Sequence, residues 1–298
     1  MKFGILGNLE KSQLLPVVTE LLRSLKRKKV ECYVFDELAD RINRQGHDTL
    51  VDGEHSRPLK QLPECSDVLI AFGGDGTMLA AARLVGERGT PILGVNLGKL
   101  GFLAEVSVGD LHKSIEEILQ GRYSIEDRMV LEASVLGTSI RLCGLNDIVI
   151  DKTGSARIIN LKTFVDEESL ITYAADGIII ATPTGSTAYS LASGGPIVVP
   201  DSRAITLTPI SPHTLTARPV ILPDTSTIRV EVDAKAKAVH ITADGQFEED
   251  LTPPVTVKIR KGDYTVRLVK PTDRSYYDIL RAKLMWGRDV RLSGTQER

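Results

Sequence analysis

A chain of 298 residues, 42% of them hydrophobic, has material for one large or two ordinary domains. A net charge of −2 gives no global attraction to nucleic acid, and no apolar run approaches the roughly 18 residues that a membrane-spanning helix needs. Cys32, Cys65 and Cys143 stand singly without C-x-x-C spacing, and the five histidines show no ligand spacing. This argues against a zinc site and a disulfide framework and fits a reducing cytoplasm. No secretory leader is read at the N-terminus, where Asn8 and Glu10 soon interrupt a short apolar stretch.

Residues 2–6 read as a short strand ending at Gly7, and 14–25 as a helix. Lys26-Arg27-Lys28-Lys29 then falls in the last turn, where cations suit the helix dipole, rather than forming a nucleic-acid patch. Strands are predicted at 30–35, 68–72 and 92–95, and a helix at 110–120 with Asp110 as N-cap and Gly121 just past its end. The alternation is that of an open α/β domain, whose ligands lie at the carboxyl ends of its strands.

The segment Phe72-Gly73-Gly74-Asp75-Gly76-Thr77 occupies such a position, between the strand at 68–72 and a helix expected over 78–85. Three glycines bare the backbone at a helix N-terminus, which suits a polyphosphate. Asp75 would repel phosphate if binding were its sole task, so it reads as a base or as the holder of a metal that binds phosphate. The plain alternative is a tight turn with Asp75 or Thr77 as N-cap. The spacing fails the G-x-G-x-x-G dinucleotide fingerprint, which favours phosphate chemistry over redox chemistry.

Near residues 123–128 the chain changes to short alternating stretches rich in Val, Ile and Thr. Strands are predicted at 227–232 and 239–243, the latter turning at Asp244-Gly245. Strands at 255–259 and 264–269 flank Lys261-Gly262-Asp263, read as a hairpin turn. This spacing predicts a β-sandwich or related all-β domain. A helical pattern returns over 275–284. The expected domains are residues 1–124, 125–270, and a helical tail over 271–298.

A second dense cluster spans residues 175–200. Ile178, Ile179 and Ile180 read as a buried strand. Thr182, Thr184, Ser186, Thr187 and Ser190 then crowd around Gly185, where hydroxyls beside glycine suit close approach to a ligand. Tyr189 offers a face for a base to stack on. Asn146-Asp147, before a strand at 148–150, sets an amide beside a carboxylate, able to grip ribose hydroxyls or an adenine edge, or to form a turn. Asp244-Gly245-Gln246 reads first as a hairpin turn.

With both clusters in view, the chain resembles the bacterial NAD kinase family. The residues that carry the resemblance are Gly73-Gly74-Asp75-Gly76-Thr77, the segment Asn96 to Phe102, and above all Asp176 to Pro200 with its Thr-Pro-Thr-Gly-Ser-Thr-Ala-Tyr-Ser run. Asn146-Asp147 and Asp244-Gly245-Gln246 sit at fitting places. The resemblance implies an α/β (Rossmann-like) domain followed by a β-sandwich domain, with the tail returning to the first. It implies transfer of the ATP γ-phosphoryl group to the 2′-hydroxyl of the adenosine ribose of NAD, giving NADP, with Mg²⁺ bridged through phosphates. Asp75 is the expected base, and Gly73, Gly74, Gly76 and Thr77 the expected phosphate contacts. Asn146, Asp147, Arg157, Asp176, Thr187, Ala188, Tyr189, Ser190, Ala192 and Gln246 are the expected NAD contacts. Asp176 implies a homodimer or homotetramer with the site near a subunit interface. Ala192 stands where many members have serine and Ala174 where many have a basic residue, which leaves NAD and NADH both open as acceptors. Another kinase with the same loop, acting on a lipid or sugar, and a non-catalytic dinucleotide sensor are the rival readings.

Overall fold

The computed structural model describes residues 1–45, 50–154, 158–233, 238–270 and 275–286. Arg157 lies outside them. Two compact units are resolved, one of Met1–Glu126 with the chain from Arg267 onward, the other of Asp127–Val266.

The first unit opens with β1 (Lys2–Gly7), α1 (Leu14–Arg27), β2 (Glu31–Phe35), α2 (Asp36–Gln45) and the short β3 (Ser56–Arg57). A short helix α3 (Leu62–Cys65) precedes β4 (Val68–Gly73), α4 (Asp75–Val85), β5 (Ile92–Asn96), β6 (Val106–Ser107) and α5 (Leu111–Leu119). The strands pair in parallel in the order β5-β4-β1-β2-β3. All six residues of β4 are buried, as expected of a parallel strand covered on both faces. On α1, Leu14, Val18, Leu21, Leu22 and Leu25 form one buried stripe. Each such side chain contributes about 1.5–3 kcal/mol through burial. Lys26 and Arg27 close its last turn, as expected.

The sequence reading misses α2, a ten-residue helix whose composition is mostly polar. Its buried face is only Leu38, Ala39 and Ile42. Asp110 does precede α5, but its side chain makes no cap bond. Its carboxylate accepts instead from the Ser107 hydroxyl at 2.6 Å.

The second unit is built of antiparallel strand pairs. In chain order it holds β7 (Ser124–Val135, which begins in the first unit), β8 (Arg141–Gly144), β9 (Asp147–Lys152), β10 (Ile159–Val165), β11 (Glu168–Ala175) and β12 (Gly177–Ala181). A short helix α6 (Tyr189–Ala192) precedes β13 (Ala204–Ile210), β14 (Val220–Pro223), β15 (Ile228–Val232), β16 (Val239–Ala243), β17 (Phe247–Leu251) and β18 (Val255–Lys270). One sheet runs β11-β10-β15-β18 with β7 and β8 beyond, the other β14-β13-β12-β9-β16-β17. Ile148, Ile150, Ile178, Ile180 and Ile241 from the second sheet share a core with Leu161, Val230, Val257 and Ile259 from the first. This is the expected β-sandwich.

The hairpin expected at Lys261-Gly262-Asp263 does not exist. β18 runs unbroken through it. Neighbours overrule the turn-like composition: Lys261 pairs with Asp224 at 2.6 Å, and Arg260 bridges Asp263 at 2.7 Å and Glu132 at 2.7 Å. Beyond β18, α7 (Tyr276–Leu284) starts with a capping box between Ser275 and Asp278 and buries Ile279 and Leu280. It belongs to the first unit, where Lys283 Nζ lies 5.5 Å from the centre of the Phe102 ring.

Candidate active site

In the first unit β4 ends at Gly73 and α4 begins at Asp75. A Cβ on Gly73 would stand 2.0 Å from the Thr77 hydroxyl, so the turn closes only around glycine. A cavity of about 500 Å³ opens at the carboxyl end of β1 and the N-terminus of α4, lined by Gly7, Asn8, Lys11, Gly74, Gly76 and Thr77 among others. The sheet order reverses beside β1, which places the cavity where open α/β sheets hold ligands. Lys11, a cation on its wall, gave no signal in sequence because it sits alone in a loop.

Asp75 is half-buried and points into neighbouring backbone. Its Oδ2 accepts from the Phe102 N–H at 2.9 Å, and its Oδ1 from Leu103 at 2.9 Å and Ala104 at 3.2 Å. A carboxylate offers about four acceptor sites, so among the described residues one on Oδ2 stays open. The segment that supplies these donors is itself pinned. Asn96 accepts from the Gly98 N–H at 2.7 Å and donates to the Lys99 carbonyl at 2.6 Å. Buried Glu105 pairs with Lys270, which also reaches Glu126 at 3.0 Å.

In the second unit three distant segments meet. Asp244, left-handed at φ 56° in the β16–β17 turn, accepts from the backbone N–H groups of Leu145 at 2.9 Å, Asn146 at 2.7 Å and Asp147 at 3.2 Å. Thr182 donates its hydroxyl to the Leu145 carbonyl at 2.6 Å and accepts from the Gly185 N–H at 3.0 Å. Gly185 lies so close that a Cβ there would meet the Asn146 carbonyl at 1.9 Å. Asn146-Asp147, Thr182–Thr187 and Asp244-Gly245 thus form one locked group.

Most hydroxyls of the 182–190 run serve this scaffold rather than facing solvent. Thr182, Thr184, Ser186 and Ser190 are buried. Ser186 donates to Pro183 at 2.6 Å and accepts from the Val198 N–H at 2.9 Å; Ser190 pairs with Thr208 at 3.0 Å. The Ser190 hydroxyl is therefore spent on the fold. Thr187 is half-buried and donates to the Thr184 carbonyl at 3.1 Å, Ala188 is half-buried, and Tyr189 and Ala192 are exposed. Gln246 is exposed on the turn, and Asp176 is paired with Lys152 at 2.6 Å. Buried Arg128 donates to the Thr184 hydroxyl at 3.2 Å, a support that a lone arginine in a strand does not announce.

Burial first, and then the charge of Asp244, push the Asp147 carboxyl up to about 7. The Tyr189 phenol is raised by burial and by the fields of Asp151, Asp176 and Asp147. A surface ringed by carboxylates repels phosphate and suits the hydroxyls and base edge of a nucleoside.

A glycine-cradled helix N-terminus carrying one carboxylate, and a group of hydroxyl, amide and carboxylate side chains on a β-sandwich, define a nucleotide-dependent kinase. Comparison with known proteins makes this specific. The sequence model of the ATP-NAD kinase N-terminal domain matches residues 3–123, and that of the C-terminal domain residues 145–271. The chain belongs to the ATP-NAD kinase family and is an ATP-dependent kinase that phosphorylates NAD. The NAD kinase of Syntrophotalea carbinolica is 41% identical over 289 residues, covering 96% of this chain and 99% of that one. The NAD kinase of Geobacter sulfurreducens is 43% identical over 265 residues, covering 85% and 93%. Among solved structures, yeast NADH kinase complexed with NADH superposes with a TM-score of 0.89 at 28% identity, covering 98% of this chain and 89% of that one. An NAD kinase from Archaeoglobus fulgidus in complex with ATP shares the fold, with a TM-score of 0.74 at 23% identity over 95% and 99%. Among the described residues no helix is long and apolar enough to cross a membrane.

Proposed function

We propose that the γ-phosphoryl group of ATP passes to the 2′-hydroxyl of the adenosine ribose of NAD, with Asp75 as general base. The observation that carries this reading is the Asp75 carboxylate, held by three backbone N–H groups with one acceptor site left on Oδ2. A base so fixed loses no rotational freedom when the hydroxyl arrives, and a positioned base is worth roughly 10²–10⁴-fold in rate. Phosphoryl transfer otherwise asks for positioning and charge neutralisation. Gly74, Gly76 and Thr77 line the cavity that receives the donor phosphates, at the N-terminus of α4, and Lys11 supplies a counter-charge on the same wall. Magnesium is held by substrate phosphates and one or two carboxylates rather than a protein cage. The site fits that habit, since among the described residues no group of three or more His, Cys, Asp or Glu side chains forms a metal cage, and glycine backbone lines the cavity given to the phosphates. Bound there, the ion would neutralise charge on the transferring group.

Asn146 and Asp147 grip the adenosine, Thr187, Ala188 and Ala192 line its pocket, and Tyr189 stacks on the base. Asp176 lies toward the nicotinamide end, and Gln246 and Arg157 are further NAD contacts. The setting we propose is a cytoplasmic homodimer or homotetramer, which light scattering of the purified protein would test. A second reading, that NADH also serves as acceptor, is favoured by the uncharged Ala174 on β11 and by the likeness to yeast NADH kinase. The test is purified protein with ATP, Mg²⁺ and either NAD or NADH. NADP(H) formation confirms the reaction; turnover of a lipid or sugar alcohol instead would overturn it.

A further inference from the structure

We infer that Asp244 is a positioning residue for the dinucleotide acceptor, holding Asn146 and Asp147 in their binding geometry through three consecutive backbone N–H groups. This rests on the reading that Asn146-Asp147 binds NAD.

The turn between β16 and β17 does not by itself require an aspartate. A left-handed position at φ 56° accepts glycine or asparagine as readily. What the turn does not explain is the direction of the side chain. Both oxygens reach back almost a hundred residues: Oδ2 to the Leu145 N–H at 2.9 Å, Oδ1 to Asn146 at 2.7 Å and Asp147 at 3.2 Å. The main chain repeats the link, with the Asp244 N–H donating to the Asp147 carbonyl at 3.0 Å. Gly144 makes room for it, since a Cβ there would stand 2.5 Å from the Asp147 carbonyl and 3.1 Å from Asp244 Oδ1. Donor bonds to a charged acceptor are the strong kind, so the 145–147 backbone has one setting.

The clamp has an electrostatic consequence. The charge of Asp244, which accepts from all three N–H groups, falls on buried Asp147. Burial and that charge raise the Asp147 carboxyl to about 7. Around it, Asp244 faces it from the turn, the Tyr189 phenol senses it from α6, and Asp151 lies further along its own strand. Asp147 thus changes between a hydrogen-bond donor and a pure acceptor near neutrality, at the surface assigned to the adenosine. Recognition of the acceptor inherits that titration, and Asp244 adds to the upward shift that burial imposes.

The experiment is steady-state kinetics of the full-length chain with NAD, ATP and Mg²⁺ between pH 5.5 and 8.5, for wild type, Asp244→Asn and Asn146→Ala. Asparagine suits the left-handed turn and keeps an oxygen for Asn146 and Asp147, but loses the charge and the Leu145 bond. We expect the KM for NAD to rise at least tenfold in Asp244→Asn, with the KM for ATP within twofold and kcat within threefold. We also expect the inflection of KM for NAD near pH 7 to move to lower pH. A residue of merely structural importance would alter stability or both substrates together. If Asn146→Ala raises the KM for NAD and Asp244→Asn leaves both KM and inflection unchanged, this inference fails alone. If Asn146→Ala leaves the KM for NAD unchanged, the underlying reading of the site fails. Should Asp244→Asn not fold, Asp147→Asn carries the test: loss of the inflection supports the inference, and its persistence overturns it.

Discussion

Asp75 meets the backbone of residues 102–104 because position 101 has no side chain. A Cβ on Gly101 would stand 2.0 Å from Asp75 Oδ1 and 2.7 Å from its carboxyl carbon. The clash is with the carboxylate that we propose as the base. We therefore expect Gly101→Ala to swing the carboxylate off its three N–H donors and lower kcat by at least tenfold, with little change in melting temperature. Kinetics and thermal melting on one preparation check this. A wild-type kcat would mean that the 102–104 contacts do not aim the base.

Lys11 lines the cavity at the α4 N-terminus. A phosphate held by a lysine loses a charge-assisted bond when the side chain is removed, worth about 1.5–3 kcal/mol. Lys11→Ala should raise the KM for ATP by about tenfold or more and leave the KM for NAD within twofold. The opposite pattern would assign the cavity to the acceptor.

Tyr189 presents its ring on an exposed α6. Stacking of a base on an aromatic ring is worth about 1–3 kcal/mol, so Tyr189→Ala should raise the KM for NAD by roughly 5- to 100-fold. Initial rates at fixed ATP measure it. If the ATP constant moves instead, the loop serves the other substrate.

Much of this was legible in the sequence, and what was not has physical reasons. The parallel strands are largely apolar runs, two of them ending in glycine, so β1, β4 and β5 declare themselves. So do the glycine-aspartate loop and the 182–190 run, because their unusual composition is local. The roles inside them are not local. Nothing near Ser190 or Ser186 says that their hydroxyls close on Thr208 and Val198. Asp244-Gly245 is a hairpin turn, as read, but its carboxylate acts on a segment about a hundred residues away. Lys261-Gly262-Asp263 has turn composition, yet tertiary ion pairs hold it extended in β18. Sequence shows which residues are chemically able; only the folded chain shows which are already occupied.

The raised carboxyl of Asp147 makes a stability prediction. Its folded value, about 7, lies above the ordinary aspartate value, so the protonated form favours the folded state. That contribution is complete below about pH 4 and is lost as pH rises to 7. Asp147→Asn mimics the protonated form at every pH. From pH 5 to pH 8 the variant should gain on wild type by on the order of 2 kcal/mol, or several degrees in Tm. Melting curves at the two pH values decide. An equal difference at both would mean that Asp147 is ionised throughout.

The most direct measurement is NADP formation by wild type and Asp75→Asn, with NAD, ATP and Mg²⁺, read through an NADP-specific dehydrogenase. Asparagine keeps the size of the side chain, removes the base, and sets an amide N–H against backbone N–H donors. The account predicts NADP from wild type and a 10²- to 10⁴-fold loss in the variant, with NAD binding retained. Wild-type turnover by Asp75→Asn would contradict it.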